Sequence, residues 1–290
     1  MPPALPEATA ALLAHELALF DRDYRQHFLH GETKPPAIGR PYLLHYPNAR
    51  AGVLLVHGLM AAPEEVAEWA QDLFARGYTV FAPRMAGHGT SAVDLDSRSP
   101  EEWIASVDRG HSLLLTCCQQ IVIAGFSTGG AVALQQVISK PDAFAALISV
   151  SAPLSFKKFS ARFAQPLAGW NEWASRLGLH RLTHRFVTNH ADNPHINYLR
   201  CPVSSIAHIQ RMMAGLRAQL RTVAVPALVL HADNDPKVDV ASGRELHRRL
   251  GSRVKRYREI RFDLHGIVRG DIAREVFAEV GDFLRQTLTY

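Results

Sequence analysis

Residues 120–134 read QIVIAGFSTGGAVAL. The β-formers Ile121-Val122-Ile123-Ala124 run into Gly125-Phe126-Ser127-Thr128-Gly129-Gly130, and an apolar, helix-friendly stretch follows at once. A serine held between glycines where a buried strand meets a helix limits what the chain can fold into. A nucleophilic oxygen must be exposed at the carboxyl end of a strand, with backbone N–H groups beside it. A sharp strand–turn–helix provides both, and its strained turn demands small neighbours, which Gly125 and Gly129 supply. The helix that follows directs its positive end toward developing negative charge. The five-residue pattern alone is weak in a chain with 19 glycines, where it can be a mere tight turn. The strand before it and the helix after it carry the nucleophile reading.

The rest of the chain supplies the sheet this junction needs. Apolar runs at Tyr42 to Tyr46, Gly52 to Val56, Tyr78 to Phe81, Ile121 to Ala124, Ala146 to Val150, Ala227 to His231 and Val254 to Ile260 alternate with helical patterns. Several runs are continuous rather than alternating, as in strands buried on both faces of a parallel sheet. Helical patterns near 64–76, 100–116, 130–139, 241–250 and 271–286 separate them. This order predicts an α/β fold with a mostly parallel central sheet flanked by helices.

Two regions stand outside the rhythm. Between Ser151 and Val225 no strand is convincing; helical pieces fall around 157–178 and 204–220, so the segment reads as a helical insertion over the sheet. At the N-terminus, Leu13, Leu17, Phe20, Tyr24 and Phe28 share one face of an amphipathic helix that packs on the body of the protein. The expected organisation is an N-terminal helical extension over 1–40, a core formed by 41–152 and 223–290, and a helical cap over 153–222.

A serine hydroxyl is a poor nucleophile without a base. Among 15 histidines, position selects His265, in the loop RFDLHGIVRGD between the last predicted strand and the final helix. The base needs an acid to hold its tautomer. The strand ending at His231 leads into ADNDPKVD, where Asp233 and Asp235 are both candidates. Asp235, beyond the strand end and before Pro236, is better placed to turn inward, whereas Asp233 suits an Asx turn. Backbone donors for a carbonyl oxyanion are Thr128 N–H and, from VLLVHGLMAAPEE at 53–65, Leu59 N–H after the flexible Gly58. His57-Gly58 also reads as an ordinary strand-ending turn.

Composition excludes several classes. Three cysteines, two of them adjacent (Cys117, Cys118), show no zinc spacing and indicate a reducing, cytoplasmic setting. The N-terminus lacks a basic start, and no run approaches the length of a membrane span. The formal charge is +5, much of its excess lying in residues 244–261. That run could bind nucleic acid or anionic lipid, but it reads better as a solvated helix face and a charged edge strand. No nucleic-acid partner is expected; peripheral lipid contact remains open.

At these residues the chain resembles the α/β-hydrolases, in particular the monoacylglycerol lipase and small bacterial carboxylesterase group. The resemblance rests on HGLM (57–60), PRMAGHGTS (83–91), GFSTGG (125–130), HADNDPKV (231–238) and LHGIVRGD (264–271). It implies the α/β-hydrolase fold, Ser127, Asp235 and His265 as nucleophile, acid and base, and Leu59 and Thr128 as oxyanion donors. The spacing from His231 favours Asp235 over Asp233; Ala232 stands where the group usually has glycine. The implied activity is cleavage of small carboxylic esters without metal or organic cofactor. Thioesterase or acyltransferase chemistry on the same residues, or a non-catalytic binding protein on this fold, are the alternatives. A stripe of Phe156, Phe159, Phe163, Leu167, Trp170 and Trp173 suggests an apolar lid, either lining a pocket for medium-length acyl chains or packing on the core.

Overall fold

The structure is a computed structural model in which residues 5–157, 164–176 and 183–288 are described. Phe159 and Phe163 lie outside the described residues. The N-terminal part contains α1 (Glu7–Gln26), the short α2 (Pro36–Gly39) and β1 (Tyr42–Leu44). β2 (Gly52–Val56), α3 (Ala67–Ala75) and β3 (Thr79–Ala82) follow, then α4 (Ala92–Asp96), α5 (Pro100–Leu115), β4 (Ile121–Phe126), α6 (Thr128–Ser139) and β5 (Ala146–Val150). The segment before the next core strand contains α7 (Ala164–Arg176), β6 (Phe186–Thr188), β7 (Arg200–Pro202) and α8 (Val203–Gln219). β8 (Ala227–Ala232), α9 (Ala241–Arg249), β9 (Lys255–Ile260) and α10 (Ala273–Thr287) complete the order.

Among the described residues, a seven-stranded sheet runs β1-β3-β2-β4-β5-β8-β9. β1 pairs antiparallel with β3; the other neighbours are parallel. The continuous apolar runs have the expected cause: both sheet faces are covered. Leu54 and Val56 of β2 join Ile121 and Ile123 of β4 in one cluster with Trp103 and Leu134. Val53 and Leu55 join Val122, Ala124 and Phe126 in another, under Trp69 and Phe283. Truncating a fully buried leucine such as Leu54 or Leu55 to alanine costs about 2–5 kcal/mol.

Helix α5 starts where Ser99 accepts from Glu102 N–H and the Glu102 carboxylate accepts from Ser99 N–H, with Pro100 at the first helical position. β4 extends through Gly125 and Phe126 rather than stopping at Ala124, because Gly125 pairs with both Val56 and Ser149 before the chain turns. The segment between β5 and β8 holds the antiparallel β6–β7 ribbon as well as helices, although no strand was expected there. Three-residue strands, one of them ending in proline, leave no periodic trace.

The N-terminal helix is docked by more than its apolar face. Phe20 is fully buried, but Phe28 lies beyond the helix end and is 53% exposed. Asp23 pairs with Arg84 at 2.6 Å, both nearly buried, Glu16 pairs with Arg109, and Thr9 hydrogen-bonds Thr116. Within the basic run at 244–261, three arginines are ion-paired: Arg244 with Glu259, Arg249 with Glu245 and Arg258 with Glu279. No helix among the described residues is long and apolar enough to cross a membrane.

Candidate active site

Parallel pairing brings the carboxyl ends of β2, β4 and β8 to one edge of the sheet, and the loops leaving them meet there. Ser127 occupies the turn between β4 and α6 with φ 54° and ψ −122°, a positive-φ conformation that costs a non-glycine residue roughly 1–3 kcal/mol. The surroundings enforce it. Ser127 N–H donates to Val150 O at 2.8 Å, and Gly130 N–H donates back to Ser127 O. A Cβ on Gly125 would fall 2.2 Å from Gly129 O, and one on Gly129 would fall 2.2 Å from Val56 O. Both glycines are therefore demanded by backbone packed against backbone.

His265 sits between β9 and α10, its ring against Phe126 with centroids 4.9 Å apart. Its Nε2 is 2.8 Å from Ser127 Oγ and its Nδ1 is 2.6 Å from Asp235 Oδ2. A carboxylate beside Nδ1 assigns the proton there, leaving Nε2 to accept from the serine hydroxyl. Asp235 is 1% exposed. Burial pushes its carboxyl up, but the hydrogen bond and charge of His265 and the N–H groups of Val238 and Lys237 outweigh it and hold it below the usual range. Oδ1 accepts those two N–H groups at 3.0 and 2.8 Å, leaving Oδ2 for the histidine. Asp233 is exposed and accepts Phe262 N–H at 3.0 Å, a turn contact away from Ser127. Buried His231 lies 3.7 Å from Asp235 Oδ2, and burial pushes its pKa down to about 4, so it stays neutral.

Leu59 and Thr128 both line the cavity at Ser127. Among the described residues, neither N–H is engaged by another protein group. His57 is no mere turn residue. It is fully buried, held neutral by burial (pKa about 4), with Nδ1 2.9 Å from Gly58 O and Nε2 accepting Met85 N–H at 3.3 Å. A trans peptide sets its C=O and N–H on opposite sides, so fixing Gly58 O also fixes the direction of Leu59 N–H.

The cavity measures about 380 Å³, within the range of small-molecule sites. Its apolar lining includes Leu59, Phe156, Leu167, Val203, Ile206 and Ile209. Phe156 and Leu167 of the expected stripe thus line the cavity, whereas Trp170 and Trp173 pack against each other with tilted rings and are about half exposed. Its polar lining includes Glu65, Asp192, Asn193, Asn197 and Lys237, which the sequence reading did not single out. Glu65 looks locally like its neighbour Glu64, and nothing nearby in the chain marks which of the two turns inward.

This sheet order and strand–turn–helix junction define an α/β-hydrolase. The family described as serine aminopeptidase S33 (Hydrolase_4) matches residues 47–271, and the chain belongs to that family. It is a hydrolase of the lipase and esterase type. A thermostable monoacylglycerol lipase of Bacillus sp. (strain H-257) is 28% identical over 221 residues, covering 75% of this chain and 84% of that protein. A structure reported for the metagenome-derived lipolytic enzymes LipS and LipT superposes with TM-score 0.75 at 21% identity, covering 89% of this chain and 99% of that one. The Paleococcus ferrophilus monoacylglycerol lipase does so with TM-score 0.72 at 18% identity, covering 85% and 98%.

Proposed function

We propose that the chain hydrolyses small carboxylic esters, with Ser127 as nucleophile, His265 as general base and acid, and Asp235 as the group orienting it. The observation that carries this reading is the continuous hydrogen-bonded line from Ser127 Oγ through the His265 ring to Asp235 Oδ2. As Ser127 Oγ attacks the acyl carbonyl, its proton passes to His265 Nε2. The carbonyl oxygen becomes an oxyanion facing the N–H groups of Leu59 and Thr128. The tetrahedral species collapses, the C–O bond to the alcohol breaks, and His265 gives that alcohol its proton. Water then gives a proton to His265 and attacks the acyl-enzyme, and a second collapse frees the acid and restores Ser127. The ionised Asp235 stabilises the imidazolium in both halves.

The segment 153–222 acts as a cap whose α8 and Phe156 supply much of the apolar lining. The volume and that lining support acyl chains of medium length, and the polar lining residues support a hydroxyl-bearing alcohol, as in a monoacylglycerol. Peptide hydrolysis is the second reading, favoured by the family's description. Aminoacyl p-nitroanilides assayed beside p-nitrophenyl esters of graded acyl length separate the two.

The test is intact-protein mass after fluorophosphonate treatment, with p-nitrophenyl ester turnover alongside. Wild type is expected to gain one adduct and turn over ester. Ser127→Ala should gain none and lose roughly 10⁴-fold or more in kcat. An unlabelled, well-folded wild type would remove the reading.

A further inference from the structure

Glu65 is a buried acid in this pocket that the reaction above leaves without a task. It follows β2 by nine residues, is only 6% exposed, and lines the cavity at Ser127. Its Oε2 accepts Gly58 N–H at 2.7 Å. A Cβ built on Gly58 would lie 3.0 Å from that oxygen and 3.3 Å from Ser127 Cβ, so the carboxylate, Gly58 and the serine are packed against one another. Gly58 is thereby held at both ends: Glu65 takes its N–H and His57 holds its carbonyl. The next N–H along the chain belongs to Leu59.

We infer that Glu65 is a positioning residue of the oxyanion site, fixing the Gly58 backbone so that Leu59 N–H points at the carbonyl oxygen attacked by Ser127. This rests on the ester-hydrolase reading above. The physical reason is one of accounting. A buried peptide N–H without an acceptor is destabilising, and a loop relieved of that cost by turning its peptide would carry Leu59 N–H out of line. Oxyanion donors are effective only when their geometry is set before charge develops.

The environment adds a pH dependence. Burial pushes the Glu65 carboxyl up to about 7, against the pull of Gly58 N–H, of the charges of His265 and Lys237, and of a hydrogen bond from Asn197. Lys237 is itself drawn to Asp192 at 3.3 Å, and Glu64 faces away toward Arg269. Ionised Glu65 is a strong acceptor for Gly58 N–H; protonated, it is a weaker one. As pH falls through neutrality the oxyanion site therefore loosens, separately from any protonation of His265.

The experiment compares wild type, Glu65→Ala and Glu65→Gln in p-nitrophenyl ester kinetics across pH, with fluorophosphonate labelling and thermal melting of each. Glu65→Ala is expected to lose on the order of tenfold or more in kcat, with KM within about twofold. Glu65→Gln, which keeps a carbonyl oxygen for Gly58 N–H but cannot ionise, should recover most of that loss. Its acid limb of kcat against pH should be shallower than wild type's. A folded Glu65→Ala with wild-type kcat overturns the inference, as does a Gln variant no better than Ala or one with an unchanged acid limb. These outcomes are read in enzyme whose wild type labels at Ser127; a wild type that does not label overturns the hydrolase reading and this inference with it.

Discussion

The β4–Ser127–α6 junction and the segment between β5 and β8 face the same cavity but are held by different forces. All six residues of β4 are buried, and the turn after it is fixed by backbone packed on backbone. In the segment between β5 and β8, α7 leaves Trp170 and Trp173 about half exposed. That segment is tied to the rest by polar contacts: Arg185 to Asp96, Arg200 to Glu32, and Lys34 Nζ to Pro194 O. α8 packs deeply, placing Ile209, Met212, Met213 and Leu216 in the core, and Tyr198 between β6 and β7 joins them there. The lesson is that one pocket can join a floor fixed by backbone packed on backbone to a lining whose outer parts are tied by polar contacts. Exposed ion pairs contribute little each and exchange readily with water, whereas a close-packed turn has no alternative arrangement of similar energy.

The largest effect should come from breaking the rigid side. Gly125→Ala places a methyl 2.2 Å from Gly129 O; the expected result is little or no folded protein, read by soluble yield and circular dichroism. Next, Asp235→Asn should leave the fold intact and lower kcat by roughly 10³–10⁴-fold. Asp233→Asn, on the outer side of the same turn, should stay within a few-fold. Equal losses in the two would mean that the turn, not the buried acid, carries the effect.

A buried ion pair outside both regions, Asp23 with Arg84, sharpens the comparison. Asp23→Asn leaves Arg84 buried without its ion pair and should cost about 3–5 kcal/mol in urea unfolding. A cost below 1 kcal/mol would place the N-terminal helix with the elements tied by weak polar contacts. A pH-dependent effect of somewhat smaller size comes from Glu65. Its carboxyl rises from 4.5 unfolded to about 7 folded. The protonated folded form therefore contributes stability that is fully present below pH 4.5 and is lost as pH rises through about 7. Glu65→Gln should flatten that decline, worth roughly 3 kcal/mol in unfolding free energy between about pH 4.5 and 8. The smallest effect is expected at Trp173→Ser, within about 0.5 kcal/mol of wild-type stability. A larger loss would show that the exposed tryptophans pack on something in solution.

The core strands were legible because a parallel sheet covered on both faces requires unbroken apolar runs, and β2, β4, β5 and β8 have them. The turn at Ser127 was legible for a related reason: the glycines that let two backbones touch are themselves a sequence mark. β6 and β7 were not, since three residues are too few for a period. Nor was α4, a five-residue helix capped by Ser91, whose brevity hides any pattern.

The sequence by itself determined which side chains could act, because residue type and strand-end position are local properties. It could name Ser127, His265 and both Asp233 and Asp235 without any knowledge of distance. It favoured Asp235 over Asp233 by its place beyond the strand end and by the spacing from His231. Only the tertiary structure brings Asp235 to His265, across 30 positions of chain, and His265 to Ser127, across 138. It also decided that Glu65 turns inward while Glu64 turns out to Arg269. The reason is that burial and hydrogen-bond partnership arise where separate loops converge, and convergence is written in the packing of the sheet rather than in the neighbours of any one residue.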